Sequence, residues 1–312
     1  ADRYGSGRVL VVGAFVYSLG LFVMSGVETP LDLNIGGGWL IGFGLAATSF
    51  SVVLGALGRL VPVERQSIAF GIASAGGSLG QFIMAPLGQQ VIQSQSWSGA
   101  LIIMAVIVSA IVLSAFFLQS KANDNVTLST NSVTQTMGKA IAEAAGNRNF
   151  RLLTVGFFVC GFQVAFLAMH LPAYLLDAGM AASTSAIALA LIGFFNIVGT
   201  YGCGILGARF PKRYVLSILY FSRALVFLLF IIFPVNEMSV YLFSIMMGLL
   251  WLGTVPLTSA LVAQIFGIRY IATLFGIVFL GHQLGSFVGV WVGGYLFDAT
   301  GTYDGVWYGS VL

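Results

Sequence analysis

Nine stretches of about 20 apolar residues, parted by short polar gaps, fill most of this chain: 9–27, 37–57, 68–92, 99–118, 152–175, 186–206, 215–233, 240–266 and 271–297. Wound as α-helix, a stretch of that length covers roughly 30 Å, the hydrocarbon thickness of a bilayer. A further apolar run at 305–312 opens a tenth. The pattern predicts an all-α polytopic membrane protein. Composition sharpens the picture. Charged residues make up 7% of the 312 and hydrophobic residues 58%, with mean hydropathy +0.99, too few charges to wet a soluble surface of that size.

The charges also fix an orientation. Arg3 and Arg8 precede the first run, Arg59 and Arg65 follow the second, and Lys121, Lys139, Arg148 and Arg151 follow the fourth. Arg209, Lys212 and Arg213 follow the sixth, and Arg269 the eighth. The alternate gaps hold Glu28, Asp32, Asp177, Glu237, Asp298 and Asp304, with no Lys or Arg. Under the positive-inside rule, residue 1 and the polar segment 121–150 face the cytoplasm, and the chain sits in a cell (inner or plasma) membrane. The formal charge of +3 belongs to this basic rim, so no nucleic-acid surface is expected. The chain starts in mid-loop and stops inside a span, with neither initiator Met nor signal peptide, and so reads as part of a longer protein.

A repeat runs through it at an offset of 205 residues. Gly71-Ile72-x3-Gly76-x2-Leu79-Gly80-x-Phe82 matches Gly276-Ile277-x3-Gly281-x2-Leu284-Gly285-x-Phe287. More loosely, the loop from Asp2 to Leu10 matches that from Ala208 to Leu216. Two copies with one orientation imply parallel six-span halves, twelve spans in all. The domains expected are 1–120 as the first bundle, 121–150 as a linker and 151–312 as the second bundle.

These residues carry a resemblance. Asp2-Arg3-x-Gly5-x-Gly7-Arg8 resembles the end of the loop signature between spans two and three of the major facilitator superfamily, and Gly207-x-Arg209-x3-Arg213 resembles its copy in the second half. Arg65-x2-Ile68-Ala69-x-Gly71-Ile72-Ala73-x-Ala75-Gly76 is similar to the span-five signature of the monocarboxylate and oxalate–formate porter group. The resemblance implies a two-bundle fold, alternating access, and a solute path lined by the span 152–175. Oxalate-type porters carry cavity cations in spans eight and eleven. Here those spans, 186–206 and 271–297, contain neither Lys nor Arg, which argues against a dianion.

Seven residues are candidates for substrate binding. Arg223 is the one basic residue outside the basic gaps, about ten residues into its span. It fits a carboxylate anchor, because guanidinium matches carboxylate bidentately, or a structural Arg bonded to backbone carbonyls or hydroxyls. His282 and Gln283 lie mid-span, placed to bind a carboxylate, relay a proton or join two helices. Gln163 and His170, seven residues apart, share one helix face. Asn196, with Thr200 a turn on, and Trp251, with Thr254 and Thr258, make polar faces on the next spans, where Pro256 is expected to kink the helix.

Asp2, Arg3 and Arg8, with Arg209, Lys212 and Arg213, form an expected cytoplasmic gating cluster. Gly76, Gly80, Gly281, Gly285, Gly289 and Gly293 form small-residue stripes for close helix packing or for sliding. Cys160 and Cys203 receive no role.

No phosphate loop, metal-ligand spacing or nucleophile–base set is present. The chain is therefore expected to be no enzyme and to need no cofactor or metal. The reading reached is a monomeric secondary transporter of a small organic anion, monocarboxylate-like, driven by proton symport or anion exchange. A drug or sugar carrier of the same superfamily, and a membrane receptor or scaffold without turnover, remain as alternatives.

Overall fold

The computed structural model describes residues 1–117 and 136–311, without the side chains of residues 85, 86, 89, 116 and 117. Residues 118–120 and, of the expected linker, residues 121–135 with Lys121 lie outside the described residues. Within them, nine helices are long and apolar enough to cross a membrane. They are α1 (Ser6–Ser25), α2 (Pro30–Leu60), α3 (Val63–Gln95) and α4 (Trp97–Ala115), then after the short α5 (Met137–Gly146) come α6 (Arg148–Asp177), α7 (Ala182–Arg209), α8 (Lys212–Ile232), α9 (Glu237–Phe266) and α10 (Ile271–Thr300). The final apolar run contributes the short helix α11 (Asp304–Gly309).

Local chemistry sets the ends. Asn147 caps α6, its side chain accepting from the backbone N–H groups of Asn149 and Phe150. Asn236 and Ser239 form a reciprocal capping box at the start of α9. Pro211 precedes α8, and Gly267, at a left-handed φ of 76°, turns the chain between α9 and α10.

Two spans read as continuous in the sequence are broken. In α2, Asn34–Leu40 is wound as π-helix around three successive glycines, and the helix stops at Thr48, whose Oγ1 donates to the Gly44 carbonyl at 2.9 Å. It restarts at Phe50. In α9, regular winding stops at Leu250 and resumes at Thr254. The bend expected at Pro256 thus falls a turn earlier, because proline withholds the N–H that the Leu252 carbonyl would otherwise accept.

Two compact units emerge. The first holds Ala1–Pro62, Ile83–Thr136 and Gly267–Thr273. Its centre is α1, packed on the stretch Ile41–Ala47 of α2 and on α4. A Cβ on Gly44 would sit 2.5 Å from the Tyr17 Cβ, so only glycine lets these helices meet. Ser18 Oγ donates to the Ala105 carbonyl at 2.9 Å, tying α1 to α4.

The second unit holds Val63–Phe82, Met137–Phe266 and Leu274–Leu312. Here α7 and α9 lie so close that a Cβ on Gly199 would strike the carbonyl of Leu249. A cage of rings surrounds Trp307: Tyr174 at 5.0 Å, Phe230 at 5.1 Å, Phe166 at 5.3 Å and Phe227 at 5.8 Å between centroids. The five tryptophans divide sharply. Trp251 and Trp307 are 7% and 2% exposed, whereas Trp39, Trp97 and Trp291 stand 64%, 49% and 58% exposed among other large apolar side chains.

Candidate functional site

Three helices of the second unit bring a cation, a thiol and an imidazole together. Arg223, near the middle of α8, is 0% exposed. Its Nη1 donates to the Cys160 sulfur of α6 at 3.1 Å, while Nε and Nη2 have no partner. Cys160 also bonds Thr254 Oγ1 at 3.3 Å, at the restart of α9. His282 of α10 lies beside the same thiol and interacts with it. A thiol is a weak acceptor, and no Asp or Glu occurs in the interior of these spans. The guanidinium is therefore a buried charge with two idle donors and no counter-charge, a costly arrangement that a bound anion would relieve.

The imidazole of His282 is buried between Phe157, at 4.9 Å, and Phe279, parallel to it at 5.5 Å. Its Nδ1 contacts Gln283 Oε1 at 3.1 Å, and its Nε2 has no partner. Gln283 itself is exposed. Arg223 and His282, drawn from different spans in the sequence, thus meet at one thiol.

Asn196 and Trp251 meet elsewhere, at the α9 break. Asn196 Oδ1 accepts from the freed N–H of Leu252 at 3.1 Å and from Thr200 Oγ1 at 2.9 Å, and its Nδ2 donates to Ser78 Oγ of α3 at 2.8 Å. Both ends of the amide are committed, so Asn196 braces the break. Gln163 and His170 are likewise spent on other helices. Gln163 Nε2 donates to the Ser310 carbonyl at 2.7 Å, although its Oε1 has no partner. His170 Nε2 donates to the Val290 carbonyl of α10 at 3.0 Å, and the ring lies 5.3 Å from Tyr303.

In the first unit, the carboxylate of Asp2 is fully buried. It accepts from Arg59 Nη1 at 2.7 Å and from the N–H and hydroxyl of Thr273 at 2.6 and 2.7 Å, in the first turn of α10. An acid there is favoured by the free N–H groups and dipole of the helix start. Its cation is Arg59, not Arg3 or Arg8, which are exposed, Arg3 resting 5.4 Å over the Tyr4 ring. In the second-half loop, Arg209, Lys212 and Arg213 have no acidic partner among the described residues. Arg213 folds onto Tyr214, its guanidinium 4.7 Å from the ring centre, with Nη2 donating to the phenol oxygen at 3.2 Å.

The glycine stripe of α10 packs on α6 within one unit. A Cβ on Gly281 would lie 2.9 Å from the Thr154 methyl, and one on Gly285 or Gly289 would strike the carbonyl of Phe158 or Phe162. At Gly293 it would meet the His170 ring at 2.7 Å. Gly76 and Gly80 have nothing within 4 Å. The close crossing of α3 comes instead at Gly71, where a Cβ would lie 2.8 Å from the Gly204 Cα of α7. The small-residue pattern in this helix is real, but its contact point lies more than one turn earlier than Gly76.

The residues missed by the sequence reading are Cys160, Arg59, Thr273 and Ser78. For Cys160 a signal existed, since it precedes Gln163 by three residues on the face shared with His170. Thr273 carried none, because capping across 271 residues of chain leaves no local trace.

Residues 1–290 match the family described as Major Facilitator Superfamily. Monocarboxylate transporter 12-B of Danio rerio is 28% identical over 96% of this chain and 69% of its own length. Monocarboxylate transporter 13 of Bos taurus is 26% identical over 97% of this chain and 70% of its own. An uncharacterized transporter of the same type from Bacillus subtilis is 25% identical over 97% and 74%. Among solved structures, the fucose:proton symporter of Escherichia coli superposes with a TM-score of 0.74 at 18% identity, over 98% of this chain and 80% of that one.

Proposed function

From the premise that this chain belongs to the major facilitator superfamily and is a multi-pass membrane transporter, we propose that its solute is a small organic anion of the monocarboxylate class. The observation that carries the reading is Arg223: wholly buried, with two idle donors and no acid to neutralise it. One cation is balanced by one carboxylate, so a monoanion fits and a dianion overshoots. The relatives named monocarboxylate transporters support the same class. Aromatic walls at Phe157 and Phe279 suit a short apolar tail.

Transport proceeds by alternating access between two bundles, 1–120 and 151–312, joined by the segment 121–150 on the cytoplasmic side. Proton symport or anion exchange supplies the drive, and the transporter works as a monomer. Asp2, held by Arg59 and Thr273, serves as the latch that releases when the access state changes.

Counterflow in proteoliposomes tests the reading. Vesicles preloaded with lactate or pyruvate should exchange labelled carboxylate; oxalate, a sugar and a cationic dye should not. Arg223→Gln should abolish exchange, and Arg223→Lys should retain part of it, since the charge survives without the fork. Exchange of the sugar or dye in place of lactate would overturn the substrate class. Undiminished lactate exchange in Arg223→Gln would remove Arg223 from the site.

A further inference from the structure

The second-half basic loop differs from its first-half copy in one respect that matters. Asp2, which neutralises Arg59, is replaced at the matching place by Ala208, so Arg209, Lys212 and Arg213 stand as three cations without an acid. Directly beneath them, a groove of about 420 Å³ runs down α8 between Leu206, Phe210, Tyr214, Ile218 and Leu250 as far as Ser222. It opens outward rather than into the unit: Tyr214 is 56% exposed and Ile218 65%. From Lys212 to Ser222 the helix rises roughly 15 Å, about the depth of one leaflet. Arg213 is folded over Tyr214, a lining residue, its guanidinium 4.7 Å from the ring centre.

We propose that this groove holds one acyl chain of an anionic phospholipid from the leaflet on the basic side, its phosphate bound by Arg213 with Arg209 and Lys212. The chemistry is matched along its length. Guanidinium binds phosphate bidentately, and surface cations attract anionic lipid. The tyrosine ring sits at headgroup level, as interfacial aromatics do, and the wall below it is hydrocarbon. A second groove, of about 610 Å³, continues along α8 from Ser222 to Pro234 and Asn236. Its mouth has no Lys or Arg and lies beside Glu237, so preference for an anionic lipid belongs to the basic side alone.

Native mass spectrometry of the full chain, exchanged into mixed micelles with phosphatidylglycerol and phosphatidylcholine of identical acyl chains, tests this. Wild type should retain one phosphatidylglycerol in clear preference to phosphatidylcholine. The variant Arg209→Gln/Lys212→Gln/Arg213→Gln should lose that preference, by about fivefold for each cation removed. Arg213→Gln alone should lose about one such step, in a background whose helicity and monodispersity are easily kept. Val215→Trp, which fills the groove, should lower retention of both lipids and leave their ratio unchanged. Equal retention in wild type, preference surviving in the triple variant, displacement by millimolar inorganic phosphate, or full retention in Val215→Trp would each overturn the assignment. None of these readouts depends on the transported solute, so the lipid site and the carboxylate site stand or fall separately.

Discussion

A buried arginine without a counter-charge makes a residue-scale prediction that separates function from architecture. If Arg223 is kept for an anion, the empty protein carries its cost, and an apolar residue of similar volume should relieve it. Arg223→Met is therefore expected to raise thermal stability in detergent, by about 1–4 kcal/mol on the precedent of buried ion groups replaced by hydrophobes, while abolishing carboxylate exchange. A fall in melting temperature instead would mark Arg223 as part of the scaffold. Asp2 predicts the opposite sign. Asp2→Ala strands Arg59 and uncaps Thr273, and should cost about 3–5 kcal/mol, read as a lowered melting temperature. The Arg223 anomaly was legible in the sequence, since one basic residue alone fell inside a span. Its partner Cys160 shares a helix face with Gln163, yet a cysteine among apolar neighbours looks like any small packing residue until α6, α8 and α9 are folded together.

At the scale of the element, the apolar runs located nine helices among the described residues, most ends moving by five residues or fewer and the start of α2, at Pro30, by seven. What the runs could not reveal was the break inside α9, where Trp251 and Leu252 continue the hydrophobic pattern without interruption. The break depends on an amide from another helix. Asn196→Ala should leave the Leu252 N–H unpaired and cost about 1–3 kcal/mol, with faster hydrogen exchange confined to residues near 250–254 as the local signature. Uniform loosening of the whole unit would instead show that Asn196 supports general packing. The α10 stripe makes a steric counterpart: Gly285→Ala drives a methyl onto the Phe158 carbonyl and should destabilise by about 1–3 kcal/mol, whereas Gly80→Ala, facing open space, should change little. The two glycines are equivalent in repeat pattern and unlike in contact, a difference that no period in the sequence encodes.

For the whole molecule, family membership fixes a membrane transporter. The charge pattern predicts an orientation that is open to a direct check. Single cysteines introduced at residue 28 and at residue 139, in a background lacking Cys160 and Cys203, should react with impermeant maleimide from opposite sides of a sealed vesicle, residue 139 from the cytoplasmic side. The division of the tryptophans then offers an optical handle. Three of the five indoles are exposed and two are enclosed by protein. Brominated acyl chains, which quench only fluorophores they touch, should darken the emission of Trp39, Trp97 and Trp291 and leave the light of Trp251 and Trp307. The residual glow of a bromolipid vesicle would thus come from the second unit alone, from one indole at the α9 break and another in the ring cage. Solute-driven motion there could be followed by its colour, with no label attached.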